Sequence, residues 1–457
     1  MTIGHKSITL HPKNHYFIVH KSITHLMNHQ SKAYLFFICS VSAMGGLLFG
    51  YDWVVIGGAK PFYELFFGID QSPFMQGVAM TTALVGCLVG AMVAGAAADR
   101  YGRKPLLTTS AVLFTVSAIA TGLFNDFTLF NIARFIGGIG IGVASALAPM
   151  YIAEVSPANI RGRMVSLNQM TIVLGILAAQ IVNMLLARDT SDPVSMDWNL
   201  QWGWRWMFWA ETLPAALFLL MSFFIPESPV FLRRRAENTE KTEDAEHSSW
   251  LILQPSYRKV LLLGLVIAVF QQWCGTNVIF NYAQEIFVSA GYNVDGMFIN
   301  IVITGIANVL FTFIALYTIE KWGRRTLMLL GAGGLGIIYL TLGTCYYMGV
   351  TGVLMVALVV AAISCYAMTL GPVTWTLLAE IFPNRVRGVA MSICTFALWV
   401  GCCTLTFFFP PMNAALGSSG SFWVYSAICI SAFFFLYRRC PETKGKSLED
   451  LERELAA

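Results

Sequence analysis

Charged residues are scarce in this sequence. Asp, Glu, Lys and Arg make up 12% of the 457 residues, whereas about a quarter is usual for a soluble domain. Hydrophobic residues make up 56% of the chain, and the mean hydropathy is +0.65. High hydrophobicity with little charge excludes intrinsic disorder. A chain with so few charged residues could not cover its surface as an ordinary soluble protein does. The composition therefore favours a membrane-embedded protein.

Several functional signatures are absent as well. The ten cysteines lie in or beside apolar runs without metal-ligand spacing, so we interpret them as small buried hydrophobic residues. No phosphate-binding GxxxxGKS/T motif occurs, and no nucleophile–base or metal constellation points to an enzyme or to a bound cofactor. The net charge of +4 comes without a basic stripe, which excludes a nucleic-acid partner. Six of the seven histidines lie in residues 1–32, which we expect to be a disordered tail rather than a metal site.

Long apolar runs are abundant. A membrane span needs about 20 apolar residues, and the polar stretch 226–257 divides the runs six and six. The spans, numbered 1 to 12, are 34–57, 76–98, 105–124, 127–151, 164–187, 204–225, 259–288, 296–318, 326–347, 351–379, 389–412 and 421–438. The pattern predicts an all-α integral membrane protein with twelve transmembrane helices. Its predicted parts are a tail (1–32), an N-terminal half (33–225), a linker (226–257), a C-terminal half (258–440) and a second tail (441–457).

The distribution of Lys and Arg predicts the orientation. Cytoplasmic loops are rich in these residues. If both termini lie in the cytoplasm, only Lys60, Arg188 and Arg205 fall outside and Arg134 falls within a span, which leaves 25 of the 29 basic residues inside. The tails and the linker are therefore expected to be cytoplasmic.

The two halves carry the same motifs in the same order. The pairs are 99–104 with 320–325, 153–157 with 379–383, and 226–228 with 441–443. Their offsets of 221, 226 and 215 residues place each motif at the matching span end of its half. This pattern indicates two homologous six-helix halves related by an axis along the membrane normal. Such repeats are typical of secondary transporters with a binding site near the bilayer midplane.

These motifs resemble those of the sugar porter family of the major facilitator superfamily. The resemblance rests on residues 45–52, 100–104, 149–154, 271–275, 371–375 and 441–445. It implies the major facilitator fold, a monosaccharide substrate, a bacterial inner membrane as the location and a functional monomer. It leaves the sugar open, because Ile176 stands where the xylose symporters have a glutamine.

Three ionisable residues lie within spans. Asp52, Arg134 and Glu211 belong to spans 1, 4 and 6, and such residues are functional candidates by default. Two carboxylates and one guanidinium leave one surplus negative charge, which a single proton removes. The alternative is a structural ion cluster. The resemblance implies acid, arginine and acid here in the proton symporters, so we predict Asp52 as proton carrier, Arg134 as its switching partner and Glu211 as a modulator.

Polar and aromatic side chains in other spans form a second set. Amide side chains offer hydrogen-bond donors and acceptors together, as a sugar hydroxyl requires, and tryptophan offers a flat apolar face. The alternative is that the amides bond helices to one another. By the resemblance, the predicted sugar contacts are Gln169, Gln271, Gln272, Asn277, Asn308, Trp375 and Trp399.

Charged motifs at the cytoplasmic span ends form a third set. Glu154 and Glu380 can accept paired hydrogen bonds from Arg103 and Arg324, and such pairs would latch the outward-open state. The alternative is that the charges only set the topology. The predicted gating residues are Asp99, Arg103, Glu154, Arg161, Glu320, Arg324, Glu380 and Arg387. Gating bends are expected at Gly275 in span 7 and at 371–372 in span 10, where Gly and Pro weaken a helix.

The three sets together predict a proton-coupled monosaccharide importer that works by alternating access, with the proton as coupling ion. A facilitative uniporter is the first alternative, and Asp52 with Glu211 argues against it. A sugar sensor that does not transport is the second. Sensors of this kind usually carry a long cytoplasmic extension, and only about 17 residues follow position 440.

Overall fold

All twelve predicted spans are present as helices. The computed structural model describes residues 32–157, 160–237, 255–382 and 386–444, and within these ranges it contains no strand. Ten helices are long and apolar enough to cross a membrane. One of these, Arg387–Arg439, kinks at Gly417 and holds both span 11 and span 12. Two short helices, Trp204–Trp209 and Thr212–Ser222, form span 6. The predicted fold class is therefore confirmed.

Seven spans are single unbroken helices. Polar caps begin several of them: the Ser72 and Asp126 side chains accept hydrogen bonds from the backbone amides of Met75 and Leu129. Spans 1 to 5 are Lys32–Phe67, Pro73–Tyr101, Arg103–Leu123, Phe127–Val155 and Arg161–Leu186, and spans 8 and 9 are Val294–Trp322 and Arg324–Tyr347. Shorter helices at Pro193–Trp198 and Pro229–Glu237 lie in the connections before and after span 6.

Span 7 is broken twice. It consists of Pro255–Trp273, Thr276–Asn281 and Ala283–Ser289. Gly275 lies at the first break with φ 88°, in the left-handed region that only glycine adopts readily. A Cβ atom on Gly275 would also lie 2.9 Å from the ring of Tyr425. The predicted bend in span 7 is therefore present.

Span 10 breaks slightly earlier than the sequence predicts. Its helices are Val353–Met368 and Leu370–Ile381, with Thr369 between them at φ −121° and ψ −85°. The break precedes the predicted bend because Pro372 has no N–H to donate to the carbonyl four residues before it, which belongs to Met368.

The two halves meet along three helix pairs. Span 2 packs against span 11, span 5 against span 8, and span 1 against the last two helices of span 7. We call the end of the bundle where spans 1 and 7 finish the Lys60 end, and the opposite end, where spans 3 and 9 begin, the Arg103 end. The apolar core shared by the halves includes Val55, Phe62, Phe280 and Phe298, near the Lys60 end.

Span 1 extends further than predicted. The expected end at residue 57 is wrong, because the helix continues to Phe67 through Pro61. Lys60, which we expect on the outer side, lies on this extension of the helix. Lys60 is inside the helix and 2% exposed, since Glu64 and Glu285 pair with it.

Candidate functional site

The three ionisable residues of spans 1, 4 and 6 meet in the interior of the N-terminal half. Arg134 donates through Nη1 to the Asp52 carboxylate, and its Nη2 lies 3.4 Å from the Asp52 carbonyl oxygen. Asp52, Arg134 and Glu211 are each 2–3% exposed. The guanidinium also lies over the ring of Phe208, 5.3 Å from its centroid. The three residues that the sequence groups as one ionisable set are therefore neighbours in the fold.

Glu211 completes this group without a direct bond to Arg134. It lies between the two helices of span 6 and interacts electrostatically with both Asp52 and Arg134. Within the described residues, Asp52 Oδ2, Glu211 Oε1 and Arg134 Nε have no hydrogen-bond partner. Buried polar atoms are usually paired, so these atoms leave room for a proton and for a change of partner by the arginine.

The amides of span 7 form a continuous chain of hydrogen bonds. The Asn277 side chain donates to Gln272, the Gln272 amide donates to Gln271 Oε1 at 2.7 Å, and the Gln271 amide donates to the Tyr366 hydroxyl at 2.6 Å. All three amides are at most 8% exposed. Tyr366 was missed from the sequence, although a tyrosine within an apolar run is a polar residue in a span.

The chain of amides joins the two broken helices. Gln271 and Gln272 precede the break at Gly275, and Tyr366 precedes the break at Thr369. Each amide donates to the next group in the chain. The Tyr366 hydroxyl proton therefore remains available at one end, and the side-chain oxygen of Asn277 remains available at the other. This arrangement provides a donor and an acceptor to a hydroxylated ligand.

The other predicted contact residues differ in exposure. Trp375, in the second helix of span 10, is 39% exposed, whereas Trp399 in span 11 is 5% exposed. Trp399 packs against Phe49 and Trp53 of span 1, with both ring centroids at 6.1 Å. Gln169 is half-buried in span 5, and Asn308 is buried in span 8. Only Trp375 of the two tryptophans therefore presents an open face in this conformation.

Span 11 links the ionisable group to the amide chain. Trp53 follows Asp52 in the chain and packs on Trp399. Two residues later, the Gly401 carbonyl accepts a hydrogen bond of 3.0 Å from the indole of Trp273, the neighbour of Gln272. Contacts of Trp53, Trp399 and Trp273 thus connect span 1 beside Asp52 to span 7 by way of span 11.

The charged motifs at the Arg103 end form matching clusters, one in each half. Arg103 donates to both oxygens of Glu154 at 3.1 Å, and Arg324 donates to Glu380 at 2.9 Å. Each pair joins two helices of the same half. Glu154 also accepts from the Ser228 hydroxyl, as Glu380 does from Thr443 at 2.5 Å.

The remaining gating candidates contribute less to these clusters. Asp99 lies 3.2 Å from Arg103 and is 64% exposed at its side chain. Among the residues that the structure describes, Arg161 is seen to donate to the Ser156 carbonyl, at 3.5 Å. The side chains of Glu320 and Arg387 lie outside the part of the structure that is described. The role of the whole set in gating stays a prediction.

Comparison with known proteins identifies the family to which this chain belongs. A family profile described as "Sugar (and other) transporter" matches residues 38–246 and 235–455. The chain belongs to this family. It is a sugar porter of the major facilitator superfamily, as its motifs indicate. Members of the family are transporters rather than enzymes.

Curated relatives match over almost their whole length. The arabinose–proton symporter of Bacillus subtilis is 35% identical, with 93% of this chain and 95% of the relative covered. The D-xylose–proton symporter of Escherichia coli is also 35% identical, over 93% and 97%. A solved structure of the inward-open xylose transporter from E. coli matches with a TM-score of 0.80 and 34% identity, over 92% of this chain and 99% of that one. The family's members thus include proton symporters for several sugars.

Proposed function

We propose that the protein imports a monosaccharide together with a proton by alternating access. The observation that carries this proposal is the buried Asp52–Arg134 ion pair with Glu211 beside it. Two carboxylates share one guanidinium, so the group has one surplus negative charge when both acids are ionised. A charge enclosed by membrane helices is expensive, and one bound proton removes it.

Asp52 is the proposed proton carrier. Its Oδ2 atom has no hydrogen-bond partner in the described part of the chain, so an arriving proton finds an available lone pair. A neutral Asp52 holds Arg134 less strongly, and the guanidinium is then drawn to the ionised Glu211. Arg134 thereby changes partner between spans 1 and 6. The alternative is a structural ion cluster, in which Arg134 would stay on Asp52 throughout.

The proposed sugar site is the amide chain together with Trp375. Its hydrogen-bond groups are Gln271, Gln272 and Asn277, and Trp375 offers an exposed ring for the apolar face of a sugar. Gln169 and Asn308 from spans 5 and 8 are the proposed contacts on the facing helices. Trp399 would join the set only when it parts from Phe49 and Trp53.

Orientation and cellular location are part of the same proposal. The distribution of basic residues favours a cytoplasmic Arg103 end, and the relatives named above are bacterial. We therefore place the chain in a bacterial inner membrane with the Lys60 end outside. One chain holds both the ionisable group and the amide chain, so a monomer is sufficient for transport.

Uptake into proteoliposomes tests this proposal. The relatives carry names for arabinose, D-xylose, glucose and galactose, so the panel should hold these four sugars, with and without an imposed inward proton gradient. We expect at least one sugar to accumulate above its external concentration only when the gradient is present. Equilibration without accumulation would indicate a uniporter. Binding without any uptake would indicate a sensor, and either result would contradict proton-coupled import.

A further inference from the structure

A second buried group with one cation and two acids lies near the Lys60 end. Lys60 lies inside the helix of span 1 and is 2% exposed. Its Nζ lies 3.0 Å from Glu64 Oε1, one helical turn further along the same helix, and it donates a second, closer bond to Glu285. The proton and sugar groups described above use none of these three residues.

The two carboxylates differ in where they belong. Glu64 is on the same helix as Lys60, and a pair four residues apart already satisfies the ammonium within one element. Glu285 lies in the last helix of span 7 and therefore in the other half of the protein. The Lys60–Glu285 pair is thus an ionic bond between the halves.

The segment that carries Glu285 is separated from the rest of span 7 by two breaks. Gly275 lies at one break, and Tyr282 lies at the other with φ −124° and ψ 29°. Between them, a Cβ atom on Gly57 of span 1 would lie 3.0 Å from the carbonyl oxygens of both Phe280 and Asn281. The helix Thr276–Asn281 therefore packs directly on span 1 with a break at each side, and the helix that carries Glu285 follows the second break and also contacts span 1.

Lys60 holds this segment through more than one contact. Its ammonium lies 5.4 Å from the ring centroid of Tyr282, close enough for a cation–π interaction. The Tyr282 hydroxyl in turn donates to the Thr406 carbonyl of span 11 at 2.6 Å. Spans 1, 7 and 11 are thus tied together around one cation.

Exposure indicates which acid can leave. The side chain of Glu64 is 8% exposed, whereas that of Glu285 is 25% exposed. An acid that leaves a buried pair needs water to replace its partner, and Glu285 has more water within reach. Glu64 can then keep the ammonium paired, so no unpaired buried cation is left behind.

We propose that the Lys60–Glu285 pair is the bond that holds the Lys60 end of the transport path closed, with Glu64 as the resident partner that retains Lys60 when this end opens. This inference rests on the alternating access proposed above. Its chemistry parallels that of Arg134, since one cation again stands between two acids, but it acts between the halves.

Hydrogen–deuterium exchange on the full-length protein in nanodiscs, without sugar, tests the proposal. The variants are Glu285→Gln and its matched control Glu64→Gln, because both remove one carboxylate from the same lysine. We expect Glu285→Gln to speed exchange across residues 276–289 by about tenfold or more, since breaking a buried pair shifts the open population strongly. Exchange at the Arg103 end should fall in the same variant. Glu64→Gln should leave both ends near wild type.

Three results would overturn the proposal. They are equal changes in both variants, no change in Glu285→Gln, and faster exchange at the Lys60 end without protection at the Arg103 end, which would mark local loosening only. If Glu285→Gln does not fold, Glu285→Asp shortens the side chain by one methylene and gives the same comparison. Sugar transport is not part of this readout, so a failure of proton-coupled import in vesicles is recognised separately.

Discussion

The two halves are built from matching parts at the Arg103 end. Gly102 and Gly323 have φ 98° and 86° at corresponding turns. The backbone amides of Arg103 and Arg324, which follow these glycines, each donate to a glutamate at 2.9 Å, Glu227 in one half and Glu442 in the other. The repeated contacts include backbone geometry as well as side chains, so they point to one structural role performed twice.

The halves differ in the middle of the membrane. The N-terminal half has unbroken helices through spans 1 to 5 and holds Asp52, Arg134 and Glu211. The C-terminal half has broken helices in spans 7 and 10 and holds neutral amides. The repeat offsets place the counterparts of Asp52 and Arg134 near residues 267–278 and 349–360, which contain no charged side chain. This difference supports the proposal that the N-terminal half carries the proton and that the broken helices of the C-terminal half supply most of the sugar contacts.

The largest expected effect comes from Asp52→Asn in the N-terminal half. Asn keeps the size and hydrogen-bonding capacity of the side chain but cannot titrate, so it imitates the protonated acid. Proton-driven accumulation of sugar should disappear, while sugar exchange down its own gradient survives. Accumulation in vesicles with an imposed pH step measures this. Glu211→Gln is the matched variant and should be milder, and the reverse order would assign the proton to Glu211.

The next effect comes from the C-terminal half. Gln272→Ala or Trp375→Ala should weaken sugar binding by roughly tenfold to a hundredfold, because each leaves a partner group unpaired or uncovered, at about 1–3 kcal/mol. Binding to purified protein by calorimetry measures the change. Trp423→Ala is a control for Trp375→Ala, since Trp423 has similar exposure, 37%, and packs on Tyr347 instead. Equal losses in both tryptophan variants would place the sugar elsewhere.

The Arg103 end should respond equally in both halves. Arg103→Ala and Arg324→Ala each remove a guanidinium from a half-buried glutamate, and we expect both to favour states open at this end. Labelling of cysteines introduced at this end, by an impermeant reagent, should rise several-fold, by about 3- to 10-fold for a 1 kcal/mol change. Unequal responses would mean that the matching contacts have diverged in role. Wild-type labelling and transport in both variants would refute a latch.

The last expected effect is on stability rather than on transport, and it concerns the break in span 7. Gly275→Ala forces a side chain into the left-handed region and toward Tyr425, which should destabilise the fold by about 1–3 kcal/mol. Gly95→Ala is the control, because a Cβ there meets nothing within 4 Å in an unbroken helix. Thermal unfolding in detergent compares the two. A larger loss for Gly95→Ala would contradict the assigned role of the glycine break.

Periodicity and composition were sufficient for the architecture. The twelve spans follow from apolar length, and the two-fold repeat follows from short polar motifs that recur at matching span ends. Helix ends and breaks were harder to predict from the sequence. The extension of span 1 past residue 57 depends on Lys60 finding two acids, one of them 225 residues away. A sequence pattern cannot reveal such a partner, so the predicted end of span 1 comes too early.

The candidate site could be predicted only in part, for a similar reason. Asp52, Arg134 and Glu211 stand out because charges inside spans are rare, and the amides of span 7 stand out as polar residues in an apolar run. Tyr366 does not, since tyrosine is common in membrane helices. Its place in the chain of amides depends on the crossing of spans 7 and 10. The packing of Trp399 on span 1 likewise depends on contacts between the halves.

The central claim, that the N-terminal half carries the proton and the C-terminal half supplies most of the sugar contacts, is tested most directly by two assays on two variants. Sugar binding and proton-driven accumulation are measured for Asp52→Asn and for Gln272→Ala at saturating sugar. The account predicts that Asp52→Asn binds sugar like wild type and accumulates none. Gln272→Ala should bind weakly, yet accumulate sugar in proportion to the proton gradient once its site is filled. Loss of binding in Asp52→Asn, or loss of proton dependence in Gln272→Ala, would contradict the division between the halves.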